Sequence, residues 1–191
     1  MINEKGRIRE SVVAVITKPN GRKKFIRGMS NKYNVLAIVR NKYGEIKNII
    51  KAKNIVTNDG DLFYAQKGCG EAPTYAFVNC VLGTGIAAAA KDDDYDDVTP
   101  IADTNKAPSA NYPKTNDTDE DNTGAAVDSV TWKYYWLGAD FDDAAIAEAC
   151  ITIAAPEAGS KVLTRFKFVA AFAKEATDTL TLYVNHNFLG I

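Results

Sequence analysis

Three runs in the second half of the chain alternate apolar and polar residues with a period of two. Only extended backbone puts every second side chain on one face in this way. In Thr131–Leu137 (TWKYYWL) the shared face carries Trp132, Tyr134 and Trp136; in Thr179–Val184 (TLTLYV) it carries Leu180, Leu182 and Val184. Lys161–Val169 (KVLTRFKFV) is a third such strand, and the segments Pro156–Gly159 and Lys174–Asp178 supply turns between strands. The first fifty residues repeat the theme as two hairpins. Ser11–Thr17 and Lys23–Arg27 flank the turn signal Pro19-Asn20-Gly21, and Val35–Val39 and Ile46–Ile50 flank Lys42–Glu45. Thr74–Leu82 reads as a buried strand, whereas Ala144–Ala149 fits a short helix or a strand. Many short strands separated by turns predict an all-β, mainly antiparallel fold: a β-sandwich or jelly roll, with an N-terminal β-hairpin arm.

Two stretches depart from that rhythm. In KNIVTNDGDLFYAQ (residues 53–66), Asn58 or Asp59 is placed to cap a short helix over Asp61–Lys67, with an acid favourable at its N-terminus. A turn and a capped helix suit this stretch better than a calcium loop, because no glutamate follows at the closing position. From Gly83 to about Val130 no helix or strand period survives. This stretch holds an alanine run, prolines, KDDDYDD (residues 91–97) and NDTDEDNT (residues 116–123), and reads as a long acidic surface loop over about 86–128. The expected organisation is therefore a basic hairpin arm, 1–53, followed by a β-sandwich domain, 54–191.

Charge supports the division. Residues 1–53 carry 14 Lys and Arg against 3 Asp and Glu, a net of +11; the remainder carries 9 against 21, a net of −12. Such polarity predicts that the basic segment meets something acidic. Without an aromatic stacking platform or a recognition motif, nucleic acid is the weaker partner. A head-to-tail contact between identical subunits joins two different patches and suits the polarity better. Arg7, Arg9, Arg22, Lys23, Lys24 and Arg27 are the expected docking positions. Asp93, Asp97, Asp117, Asp119, Glu120 and Asp121 are their acidic counterparts or belong to a solvated face. No apolar run is long enough for a membrane span, and the charged start MINEKGRIRE has no secretory h-region.

Catalytic signatures are sparse. The single histidine, His186, reads as a surface or packing residue rather than a base. Cys69, Cys80 and Cys150 have no metal-ligand spacing and are expected to be reduced, buried thiols. Gly83-Thr84-Gly85 lacks the Gly-Lys-Ser/Thr ending of a phosphate loop and reads as a turn after a strand. Asp92, Asp94 and Asp96 are calcium candidates by their oxygen ligands, but their spacing does not match a calcium loop. No catalytic residue, cofactor or enzymatic activity is expected.

The order of these signals resembles a group of bacteriophage virion structural proteins. In that group an N-x-V-T-N-x-G entry to a short helix precedes a strand ending in LGTG, then a variable loop and an aromatic strand. An I-x-E-x-G-I-like segment, an L-x-R-F-x-F strand and a T-L-T-L/I strand close the chain. The matching pieces here are Asn54–Gly60, Val81–Gly85, Thr131–Trp136, Ile146–Ile151, Leu163–Phe168 and Thr179–Val184. Ala149-Cys150 stand where the glycine is usual, the 86–128 loop is long and acidic, and the basic N-terminal segment has no counterpart. The resemblance implies a non-enzymatic subunit of the virion, assembled in the host cytoplasm. It would be a capsid decoration or cement protein or a tail- or neck-associated one, with copies of itself and other virion proteins as partners. The competing expectation is a carbohydrate- or receptor-binding module, with Trp132, Trp136 and Tyr95 as stacking groups and calcium on the acidic loop.

Overall fold

A computed structural model describes residues 12–17, 23–27, 33–122 and 128–188, the first two segments by backbone alone. Strands β1 (Val12–Thr17) and β2 (Lys23–Arg27) pair antiparallel as a separate two-stranded sheet. The remaining strands are β3 (Val35–Arg40), β4 (Ile46–Val56), β5 (Asn79–Gly83), β6 (Lys114–Thr115), β7 (Ser129–Trp136), β8 (Asp143–Thr152), β9 (Val162–Lys174) and β10 (Thr179–Asn187). They form one eight-stranded sheet in the order β5-β8-β9-β4-β3-β10-β7-β6, antiparallel throughout. The all-β antiparallel class is as expected. The eight strands are joined in one continuous, curled sheet rather than being divided into two ladders.

Curling follows from contacts between strands far apart in the sheet. The Tyr134 hydroxyl on β7 donates to the Val78 carbonyl just before β5, at 2.9 Å. The indole of Trp136 donates to the Thr104 carbonyl at 3.0 Å, while the Thr104 hydroxyl accepts from the Leu82 amide on β5. The concave face is apolar: Val35, Ala37 and Val39 of β3 meet Leu82, Trp132, Trp136, Ile151, Phe166 and Leu182 in one core. Alternation is what sorts these residues inward. Trp132, Tyr134 and Trp136 share the inner face, as their spacing predicted, and all are buried.

The boundary expected at residue 53 falls inside β4, and β3 and β4 lie at the centre of the sheet, so the sheet draws strands from both sides of it. The ambiguous 144–149 segment is strand, within β8.

The one α-helix among the described residues, α1 (Asn58–Cys69), is longer than expected and begins one residue after its cap. That cap is Thr57 rather than Asn58 or Asp59. Its hydroxyl accepts from the Gly60 amide at 3.1 Å and also donates to the Val162 carbonyl, fastening the helix start to β9. Asp59 and Asp61 sit in the first turn, and Gly70 closes the helix with φ 80°, a conformation suited to glycine. Gly60 lies against β9 so closely that a Cβ there would be 2.1 Å from the Leu163 carbonyl oxygen.

The described part of the acidic loop, 86–122, forms a strap across the sheet. Residues 95–98 cover the outer face of β5 and β8, where Tyr95 and Val98 pack on Val81, Cys150 and Val162. The strap then runs along the free edge of β5: Cys80 and Lys106 exchange both backbone hydrogen bonds at 2.9 Å, and Ile101 donates to Leu82. It crosses to β7 through Ser109, which donates to Lys133, and through β6. Covering β5 in this way leaves fewer unpaired backbone groups at that end of the sheet.

Candidate functional site

Both acidic runs of the strap are tied to cations of the sheet, in two staples. The first centres on Arg165 of β9, which is 2% exposed. Its Nε and Nη2 donate to Glu148 Oε2 at 3.0 and 2.7 Å, and its Nη1 donates to Asp93 Oδ2 at 2.9 Å. Glu148 of β8 is wholly buried, and its other oxygen accepts from the amides of Gly85 at 2.9 Å and Thr99 at 2.8 Å. Asp93 also accepts from the Ala90 amide. Burial opposes the guanidinium charge, but its hydrogen bonds to Asp93 and Glu148 outweigh that and hold its pKa above the ordinary arginine value. The glycines of VLGTG are explained here. A Cβ on Gly85 would lie 2.1 Å from Glu148 Oε1, and one on Gly83 would lie 2.7 Å from the Thr99 carbonyl. Three of the segments on which the resemblance rests, Val81–Gly85, Ile146–Ile151 and Leu163–Phe168, thus meet on adjacent strands around one ion network.

The second staple ties Asp117, Asp119 and Asp121 down against β3, β7 and β10. Asp117 pairs with Lys114 at 3.0 Å, Asp119 with Lys133 at 2.6 Å, and Asp121 with Arg40 at 2.8 Å. Asn122 is inserted between Asp117, Thr131 and Asn185 and exchanges amide hydrogen bonds with Asn185. Burial pushes the carboxyls of Asp117 and Asp119 upward. Hydrogen bonds from Asn122 and Lys114 to Asp117, and from Lys133 to Asp119, prevail and hold both below the usual carboxylate value.

The expected docking residues are distributed as follows. Arg7, Arg9 and Arg22 lie outside the described residues. Lys23, Lys24 and Arg27 lie on β2, with backbones opposite Thr17, Ile16 and Val12. Asp93, Asp117, Asp119 and Asp121 are engaged within the chain, whereas Asp92, Asp96, Asp97 and Glu120 are exposed.

The calcium candidates are not gathered. Asp94 caps a 3-10 turn over Tyr95–Asp97 by accepting from the Asp96 amide, and the Asp96 carboxylate accepts from the Gly159 amide. Among the described residues no three His, Cys, Asp or Glu side chains come together to hold a metal ion. The stacking groups of the carbohydrate reading are also engaged, since Trp132 and Trp136 are core residues and Tyr95, within the strap, packs against Val81, Cys150 and Val162.

Sequence reasoning quoted the segments holding Glu148 and Arg165 but did not pair these residues. The available signal was a single charge of opposite sign inside each of two apolar strands. Of the cysteines, Cys80 and Cys150 are buried as expected, but Cys69 at the end of α1 is exposed. His186 is a buried residue. Tyr64 on α1 takes a hydrogen bond from the Trp132 indole at 3.0 Å and shares another with His186 Nδ1, while burial pushes the imidazole down to about 3.

Comparison with protein-family models, with curated proteins and with solved structures returns no match.

Proposed function

We propose that this chain is a non-enzymatic structural subunit of a bacteriophage virion, assembling in many copies on the capsid or tail and stabilising the particle through contacts between subunits. The observation that carries the reading is the ordered set of six segments resembling that group. Three of them converge on the buried Glu148–Arg165 pair, as pieces of one structural unit would. The charge division supports the same reading, since 1–53 carries a net of +11 and the remainder a net of −12. Arg7, Arg9, Arg22, Lys23, Lys24 and Arg27 dock on a neighbouring copy or another virion protein. With four acids held by their own chain, and Asp96 and Asp97 accepting from the Gly159 and Asp94 amides, exposed Asp92 and Glu120 are the acids of these runs open to a neighbour. Each contact is weak and screened by salt, and repetition over a lattice supplies the avidity.

Sedimentation velocity across a salt series tests the docking. Association that weakens with salt and disappears when the six N-terminal cations are reversed to Glu supports it. A monomer at low salt, or association indifferent to that reversal, contradicts it.

A further inference from the structure

Most cations of the sheet and strap pair with a carboxylate of their own chain, Arg40 with Asp121 and Lys133 with Asp119 among them. Others are satisfied locally. Lys42 and Lys67 lie over the rings of Tyr43 and Phe63, and buried Lys174 donates to the Gly138 and Phe141 carbonyls. Among the described residues that leaves Lys51, Lys53 and Lys167, which have no carboxylate partner.

These three lysines form one patch. Lys51 and Lys53 lie two residues apart on β4 and so share a face, and Lys53 stands directly opposite Lys167 on β9. That is the outer face, since Arg165, two residues before Lys167, carries the strap there. Like charges directly opposite on a sheet repel, so the Lys53–Lys167 pair is unfavourable until a counter-charge arrives. β4 and β9 are interior strands, so these lysines guard no exposed edge.

The patch is also apolar. Lys167 Nζ donates to the Ile86 carbonyl at 2.7 Å, and Ile86 itself is 75% exposed. Val169, the next residue of β9 on that face, is 61% exposed. Cations around large exposed apolar side chains describe a protein interface, with an apolar centre and a charged rim. A phosphate backbone would use the lysines and leave Ile86 and Val169 uncovered. The complement is an acidic protein surface, and this chain carries one in its 92–97 turn. Asp92 there is exposed and without a partner among the described residues, and exposed Asp96 and Asp97 add negative charge beside it.

We infer that the patch of Lys51, Lys53 and Lys167, with Ile86 and Val169, docks a second copy of this chain through that copy's 92–97 turn, with Asp92 pairing to Lys53 or Lys167. The inference rests on the reading that copies associate, and it adds a second half to that contact, again joining two different patches.

The test is carbodiimide cross-linking of the full chain, natural-abundance and heavy-nitrogen copies mixed, read by peptide mass spectrometry. Cross-links between light and heavy chains that join Lys53 or Lys167 to Asp92 are expected. In sedimentation velocity at low salt, Lys53→Glu/Lys167→Glu and Asp92→Lys should each associate about tenfold more weakly, the scale of one lost contact. Mixing the two variants should restore association, because the mixture keeps one intact patch and one intact turn. The replaced residues are all exposed, so the fold survives and circular dichroism reports it. No light–heavy cross-link at Lys53 or Lys167, while the N-terminal cations do cross-link between copies, overturns this inference and leaves the arm docking standing. Cross-links at the patch with none from the arm do the reverse. A DNA duplex that binds wild type but not Lys53→Glu/Lys167→Glu, with no such cross-links, overturns the choice of partner.

Discussion

Arg165 and Glu148 face each other across β9 and β8 on the outer side of the sheet, joined by two hydrogen bonds of 3.0 and 2.7 Å and shut off from solvent by the strap. Asp93 brings the strap to the same guanidinium, so one cation fixes two strands and the segment crossing them. Removing one member of such a buried network leaves charge without compensation. Arg165→Ala is expected to lower stability by about 3–5 kcal/mol in urea denaturation. In a double-mutant cycle, Glu148→Ala with Arg165→Ala should lose about 1–3 kcal/mol less than the sum of the two single variants.

Gly85 at this network and Gly60 and Gly68 on α1 differ sharply in what they tolerate. At Gly85 a methyl group would collide with the Glu148 carboxylate, and at Gly60 with the backbone of β9. Gly85→Ala and Gly60→Ala are each expected to destabilise the fold by about 1–3 kcal/mol. Gly68, near the end of α1, has open space around it, and Gly68→Ala should stabilise by about 0.5–1 kcal/mol through helix propensity. Thermal melts of the three variants check the contrast.

His186 sets an acid limit on stability. Its folded-state value, about 3, lies below the ordinary histidine value because burial disfavours the imidazolium. The unfolded chain therefore takes up this proton first. Stability is lost as pH falls from about 6.5, with a slope of at most about 1.4 kcal/mol per unit, and the loss levels off below about 3. Asp117, Asp119 and Asp140 also have lowered values and lose their contributions as the pH falls into the carboxylate range. The histidine is isolated by comparing wild type with His186→Phe between about pH 5 and 6.5. Chemical denaturation should show a falling stability in the former and a flatter profile in the latter.

Thiol reactivity should separate the cysteines. Burial pushes the Cys150 thiol up to about 12 and Cys80 well above its usual value, while Cys69 is exposed. A native titration with a thiol-specific chromogenic disulfide is expected to label Cys69 alone, and Cys69→Ser should abolish the fast reaction. Denaturation should expose the two core thiols.

The strands were legible where one face alternates. Trp132, Tyr134 and Trp136 mark theirs because an inward side chain recurs every second residue. The helix was legible from its acids and its glycine, but its cap, expected at Asn58 or Asp59, is Thr57. Asn and Asp are good caps in isolation, yet Thr57 is the residue that leaves β4 with its hydroxyl against β9. The strap was not legible because its order is non-local: Asp93, Asp119 and Asn122 find partners 72, 14 and 63 residues away, and no local period records them. Acidic composition suggested a solvated loop, whereas Asp93, Asp119 and Asp121 hold the strap to the sheet.

The assembly reading is tested most directly by immunogold electron microscopy of purified particles, using an antibody raised against residues 54–191. The account predicts label repeated at regular positions on the capsid or tail, in many copies per particle. Particles free of label, with the chain present only as a soluble monomer in the lysate, would contradict it.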